Sequence, residues 1–307
     1  MRSHKIVAVA AAVGAAAVLT WSAGSSVQAQ APAGRGAAPA KPTTPTPRLP
    51  DGTVNLGRVP GEKGVWNLPY ITNMGARVID PATGKPFVLV KDVGPAGKPV
   101  EGRGGAPAEP FVPFQPWAAA MYNYNTINSS KYDPEGFCLP PGGPRLFATP
   151  YPAEIIQMPD KSRIFQVFEG GAHIWREIYT DGREHPKGDA LPLTWMGHSV
   201  GKWEGDTLVV DVVGFHEGTW LDYFGHPHSD QMHVVEKYTR PNKETLHYEA
   251  LIDDPGAYTK PFTVAWDINW NNDDELTEYI CQENNRFLLR LKDDFGEPLF
   301  GAKPHKD

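Results

Sequence analysis

The sequence predicts an all-β protein whose strands close into an up-and-down, lipocalin-like barrel of about eight strands. Three observations carry this. From Ile155 onward the apolar residues alternate with a period of two. Turn-forming pairs punctuate that region at regular intervals, the clearest being Gly205-Asp206 between Val200–Glu204 and Thr207–Val213. Helical periodicity is confined to one short stretch, 116–128. Consecutive hairpins pair with their neighbours into an antiparallel meander, and a long twisted meander removes its sticky edges by curling shut. A β-sandwich is the alternative.

The elements follow in order. Arg2, His4 and Lys5 precede an Ala/Val-rich apolar run, and Val27 and Ala29 stand at the −3 and −1 positions of a small-residue cleavage site. Residues 1–29 therefore read as a secretory signal peptide, too short and too Ala-rich for a membrane span. Its removal takes two of the 29 basic residues, leaving 27 against 36 acidic ones, a net charge of −9 instead of −7. An acidic surface argues against nucleic acid and anionic membranes as partners. A periplasmic or extracellular protein with no membrane insertion after cleavage is expected, with a small molecule as its partner.

Residues 30–50 (QAPAGRGAAPAKPTTPTPRLP) hold almost no large apolar side chain and read as a linker, with order expected from about Leu56. Residues 51–150 form an N-terminal extension carrying a Gly/Pro-dense flexible loop at 91–113 and the helix at 116–128, where Pro116 suits a first turn and three alanines follow. The barrel domain spans 151–290 and a tail 291–307. Within the barrel, hairpins are predicted for Arg163–Glu169 with Ile174–Tyr179, Val200–Glu204 with Thr207–Val213, Met232–Thr239 with Glu244–Asp253, and Thr263–Trp270 with Glu275–Cys281. Two cysteines, Cys138 and Cys281, are an even count in an exported chain and are expected to pair; two buried thiols are the alternative.

Candidate chemistry gathers on turns. Gly197-His198-Ser199-Val200-Gly201 is a literal G-x-S-x-G, but a nucleophile elbow needs a strand before it and a helix after it, and here a strand follows. His198 and Ser199 are instead expected to orient a loop. Asp181-Gly-Arg183-Glu-His185-Pro supplies an arginine suited to a carboxylate and an imidazole on one loop. In Gly225–His233 (GHPHSDQMH), His226, His228 and His233 are candidate ligands for a divalent transition metal, with Asp230 beside them; a hydrogen-bonded loop explains the same residues. The expected catalytic set is His198, His185, Arg183 and Asp230. Trp195, Trp175 and Trp220 are expected to line a ligand site. If the turn at 240–243 is tight, Glu236 faces His247 as a further polar pair in that site.

The stretch W-x-GHSVG-x-WEGDTLVVD-x-x-GF, Trp195 to Phe215, resembles the signature of a family of secreted bacterial proteins with no established function. Further blocks in the same order extend the resemblance over most of residues 50–285: LPDG at 49–52, PFQPWAAA at 113–120, DPEGFCLPPGGPR at 133–145, IYTDGREHP at 178–186, GHPHSDQMHVVEKY at 225–238 and EYICQEN at 278–284. Where such proteins carry a short D-L-S-G-V-W, this chain has the longer NLGRVPGEKGVW. The resemblance implies secretion and brings no reaction, ligand or catalytic residue. Two functional readings follow from the residues. One is an enzyme with a His/Arg/Asp-lined site at a barrel end, acting by metal-assisted or acid/base chemistry on a small organic or sugar-like substrate. The other is a lipocalin-like binder of a small apolar or aromatic ligand. A structural envelope protein is a third.

Overall fold

The computed structural model describes residues 44–87, 111–128, 131–170 and 174–283. Strand β1 (Val65–Asn67) is followed by a two-stranded ribbon, β2 (Ile79–Asp80) and β3 (Lys85–Pro86), and by helix α1 (Pro116–Ile127). Then come β4 (Pro152–Met158), β5 (Arg163–Phe168), β6 (Trp175–Tyr179), β7 (His198–Glu204), β8 (Thr207–Val213), β9 (His233–Asn242), β10 (Thr245–Asp253) and β11 (Phe262–Asn271). Nine strands close a barrel in the order β1-β11-β10-β9-β8-β7-β6-β5-β4, with β4 returning to β1. All neighbours are antiparallel except β6 and β7, which run parallel and share only the pairs Ile178↔Ser199 and Tyr179↔Val200.

Three expectations are corrected here. The fourth hairpin does not form, because β11 is flanked by β10 and by β1, so residues 275–281 are left outside the sheet. The strand that closes the barrel comes from the stretch read as an N-terminal extension. Ordered contact also begins earlier than Leu56: Lys243 N donates to Thr44 O, and Arg48 pairs with Asp206 at the tip of the β7–β8 hairpin.

The register of β9 and β10 differs as well. Strand β9 runs on to Asn242 and reverses at Lys243-Glu244, with a bulge between Thr245 and His247. Glu236 therefore faces Ala250, and His247 faces Thr239. An odd shift exchanges the two faces of a strand. Glu236 points inward and is buried, whereas His247 points out and bonds to Asp267 at 2.7 Å.

The interior is packed rather than open. Inward residues such as Val210, Val234, Tyr238, Leu246, Tyr248 and Ile268 have 0% exposure. The turn Gly143–Ala148, buried throughout, carries Phe147 into them, stacked on Tyr248 at 4.9 Å. The Trp266 indole N–H donates to the Phe147 carbonyl at 3.1 Å. Fully burying a side chain of this size contributes about 1.5–3 kcal/mol, so the lumen acts as the core of the protein. Arg240 seals another part of the barrel, donating to the carbonyls of Asn55, Gly57 and Lys243 beneath the rings of Trp66 and Trp270.

Cys138 and Cys281 are disulfide-bonded with Cα atoms 5.5 Å apart. A loop of 143 residues loses about 5 kcal/mol of unfolded-chain entropy on cross-linking in the simple chain model. No helix among the described residues is long and apolar enough to cross a membrane.

Candidate functional site

Strand alternation puts His198 on the outer face of β7, Asp211 on that of β8 and His233 on that of β9, since their neighbours Ser199, Val212 and Val234 are buried inward. The β6–β7 crossover, residues 180–197, then folds back over this wall and delivers His185. The result is a chain of contacts. Asp211 Oδ1 lies 3.0 Å from His185 Nε2 and 2.9 Å from His233 Nε2, and His185 Nδ1 lies 2.7 Å from His198 Nδ1.

The protons follow from these contacts. An ionised Asp211 only accepts, so His185 Nε2–H donates to it. Neutral His185 then accepts at Nδ1, which requires His198 to donate from Nδ1. Neutral His198 is left with a bare Nε2. Burial, followed by the electrostatics of the adjoining His185 and Arg183, pushes the His198 pKa below the ordinary histidine value, which favours the neutral ring. Tyr179 stacks on the His198 ring at 5.4 Å, and Arg183 covers Tyr179 at 3.8 Å while paired with Asp181 at 2.6 Å.

His198 lines a cleft of about 480 Å³ between β6 and residues 192–199. The cleft opens where the parallel β6–β7 ladder runs out after two pairs. Its walls include Trp175, Trp195, Tyr179, Glu177 and Pro140. Trp175 is 59% exposed and leans on Phe165, while the Trp195 ring is stacked on His216 at 4.5 Å. Gly197 makes the close turn before His198 at φ +68°, where a Cβ would fall 2.7 Å from Val212 and 2.9 Å from the Val213 carbonyl. Only glycine fits there.

Behind the cleft, β6 and β7 turn Arg176 and Ser199 inward. Arg176 pairs with Glu236 at 2.5 Å, both almost fully buried, and its Nε donates to Ser199 Oγ at 2.9 Å. Tyr248 OH donates to Glu236 at 2.7 Å. The Glu236 carboxylate keeps the Arg176 guanidinium firmly charged even though burial opposes it. Ser199 is thus a buried partner of an arginine within a strand, neither a nucleophile nor part of a loop.

The candidate catalytic residues divide. His185, His198 and Arg183 come together, but Asp230 is exposed elsewhere, and the carboxylate of the cluster is Asp211. The three candidate metal ligands separate: His226 Nδ1 bonds Asp222 at 2.6 Å, His228 Nε2 lies 2.5 Å from Thr219 Oγ1, and His233 joins Asp211. Among the described residues no group of three or more His, Cys, Asp or Glu side chains is arranged to hold a metal ion. The reason is the turn at 221–228, where buried Asp222 draws His226 inward and also accepts from the N–H groups of Met74, Gly225 and His226. Of the candidate ligand residues, Trp175 and Trp195 line the cleft; Trp220, His247 and Glu236 do not. Asp211, Glu177 and Tyr179 were missed. Asp211 had a legible signal, a lone charge in the apolar run Leu208–Val213.

Compared with known protein families, curated proteins and solved structures, the chain finds no match.

Proposed function

We propose that the protein is an exported acid/base enzyme acting on a small organic or sugar-like molecule held in the cleft between β6 and residues 192–199. His198 takes and returns the proton. The observation that carries this reading is the Asp211–His185–His198 chain, which fixes one ring nitrogen of His198 and leaves the other bare on a ring lining a cleft. A base that is neutral at working pH and oriented by a second group is the arrangement general acid/base catalysis requires. A set of 4-nitrophenyl esters and glycosides tests it. The wild type is expected to turn over at least one of them, and His198→Ala to lose roughly 10²- to 10⁴-fold in rate. No turnover above buffer across the set, or full activity in His198→Ala, overturns the enzyme reading.

A non-catalytic binder using the same cleft is the second reading, favoured by the exposure of Trp175 at its mouth. Under it, ligand affinity persists in His198→Ala and no member of the set turns over. Export rests on the leader and is supported by the disulfide, which needs an oxidising compartment. N-terminal sequencing of the exported chain is expected to begin at Gln30.

A further inference from the structure

The charges around the cleft narrow its ligand class, on the reading that the cleft is the binding site. Each arginine beside it already has a carboxylate: Arg176 has Glu236, Arg163 has Glu177 at 2.5 Å, and Arg183 has Asp181. An anionic ligand would therefore have to break an existing ion pair. A cation is disfavoured too. Arg163 and Arg183 both lie against the Tyr179 ring, at 4.7 and 3.8 Å, and Arg163 neutralises Glu177. The aromatic face and the carboxylate that would attract a cation are thus both engaged.

What remains unengaged is of one kind. Glu177 and His198 both stand on the outer faces of their strands, beyond the end of the two-pair parallel ladder, and both line the cleft. The Arg163 bond uses Glu177 Oε1, leaving Oε2, and the His185 bond uses His198 Nδ1, leaving Nε2. Both remaining atoms accept hydrogen bonds, and both side chains line the cleft together with Trp175 and Trp195. A purely apolar ligand would strip water from both acceptors and give nothing back.

We propose that the cleft takes a neutral, hydroxyl-rich ring, a sugar, with the flat C–H face of the ring against Trp175 and Trp195 and its hydroxyls donating to Glu177 Oε2 and His198 Nε2. Glu177 is then the specificity-determining residue, because a carboxylate oxygen held by Arg163 demands a donor from the ligand.

Tryptophan fluorescence and calorimetry on the whole protein test this with neutral trisaccharides (maltotriose, cellotriose, xylotriose), trigalacturonate, benzyltrimethylammonium and 2-naphthol. At least one neutral trisaccharide is expected to bind more tightly than the charged and aromatic probes. Trp175→Ala, at an exposed position that tolerates truncation, is expected to weaken it roughly tenfold or more, and Glu177→Gln to weaken it less but measurably. If naphthol or the ammonium ion binds in a Trp175-dependent way and no neutral saccharide does, the sugar proposal falls while the cleft survives as a binding site. If no probe binds at millimolar concentration, both fall. Saccharide affinity indifferent to Trp175→Ala places the sugar elsewhere and also overturns the proposal.

Discussion

Of the aspartate–histidine groups on this barrel, Asp222–His226 and the Asp211 cluster differ most in what surrounds them. Asp222 and His226 are 0% and 2% exposed, and the imidazole packs against Phe114 and Tyr122, which also pack on each other. Burial works to raise the Asp222 pKa, but the His226 charge and hydrogen bond, with the backbone donors, outweigh it and hold the carboxyl below its ordinary value. The group ties the 221–228 turn to helix α1 and to the segment carrying Met74. Asp211, by contrast, is 48% exposed, and one of the histidines it holds, His185, leads through His198 to a cleft. The same pair of residue types is a fastening where solvent is excluded and a hydrogen-bonded chain beside an open cleft where it is not. Histidine density along the chain does not distinguish the two; burial and a neighbouring cavity do.

The sharpest way to break this comparison is to remove the buried carboxylate. Asp222→Ala removes the carboxylate that the His226 ring and the N–H groups of Met74 and His226 bond to, and a loss of about 3–5 kcal/mol is expected, measured by urea denaturation. A loss below about 1 kcal/mol would mean the buried group is no fastening. The ion pair behind the cleft comes next. Arg176→Met strands Glu236 in the core and is expected to cost about 3 kcal/mol, whereas Arg176→Met with Glu236→Leu recovers part of it, because the buried charge is gone although Tyr248 OH and Ser199 Oγ each lose a partner. A double variant as unstable as the single one would show that the pair contributes more than mutual neutralisation.

These two groups also mark how far the sequence could be read. Hairpins with short turns were legible because alternation and turn chemistry are local: β5–β6, β7–β8 and helix α1 stand where the pattern puts them. Barrel closure was not, since Val65–Asn67 is a three-residue strand whose partner lies about 200 residues away and carries no local signal of pairing. Nor was the β9–β10 register, which a turn displaced to Lys243-Glu244 and a bulge beside it set together. In the site, His185 and His198 were visible as polar residues on turns, but their meeting depends on the crossover at 180–197 folding back, which no periodicity reports. Asp230 is close to the histidines in sequence alone. Asp211, on a strand two elements away, was the true neighbour in space.

Acidification separates the groups more finely. Burial lowers the pKa of His228, and burial with neighbouring positive charge lowers that of His198. Each folded-state value then lies beneath the unfolded one near 6.5, so the unfolded chain binds more protons in the interval between. Stability is full above that ordinary value and falls as pH drops through the window below it. The melting temperature is expected to decline over that range, and His228→Asn to flatten the decline more than His198→Asn does, because His228 is the more deeply buried. An equal effect of the two would place His198 in a drier setting than its cleft-lining position allows.

The smallest effect on stability is expected at the most informative position. Asp211→Asn removes a half-exposed charge, and exposed ion pairs contribute at most about 1 kcal/mol, so urea denaturation should barely register it. The proton chain, however, loses the group that dictates its direction. An amide can donate as well as accept, so His185 Nε2 is no longer obliged to carry a proton, and His198 is no longer obliged to carry its own on Nδ1. Nitrogen-15 spectra of the imidazole rings read this directly. Wild-type His198 is expected to hold its proton on Nδ1, and Asp211→Asn to mix the two tautomers while the fold stays intact. A His198 tautomer unchanged by Asp211→Asn would mean that His185 alone orients the ring, and the exposed aspartate would then be no more than a surface charge.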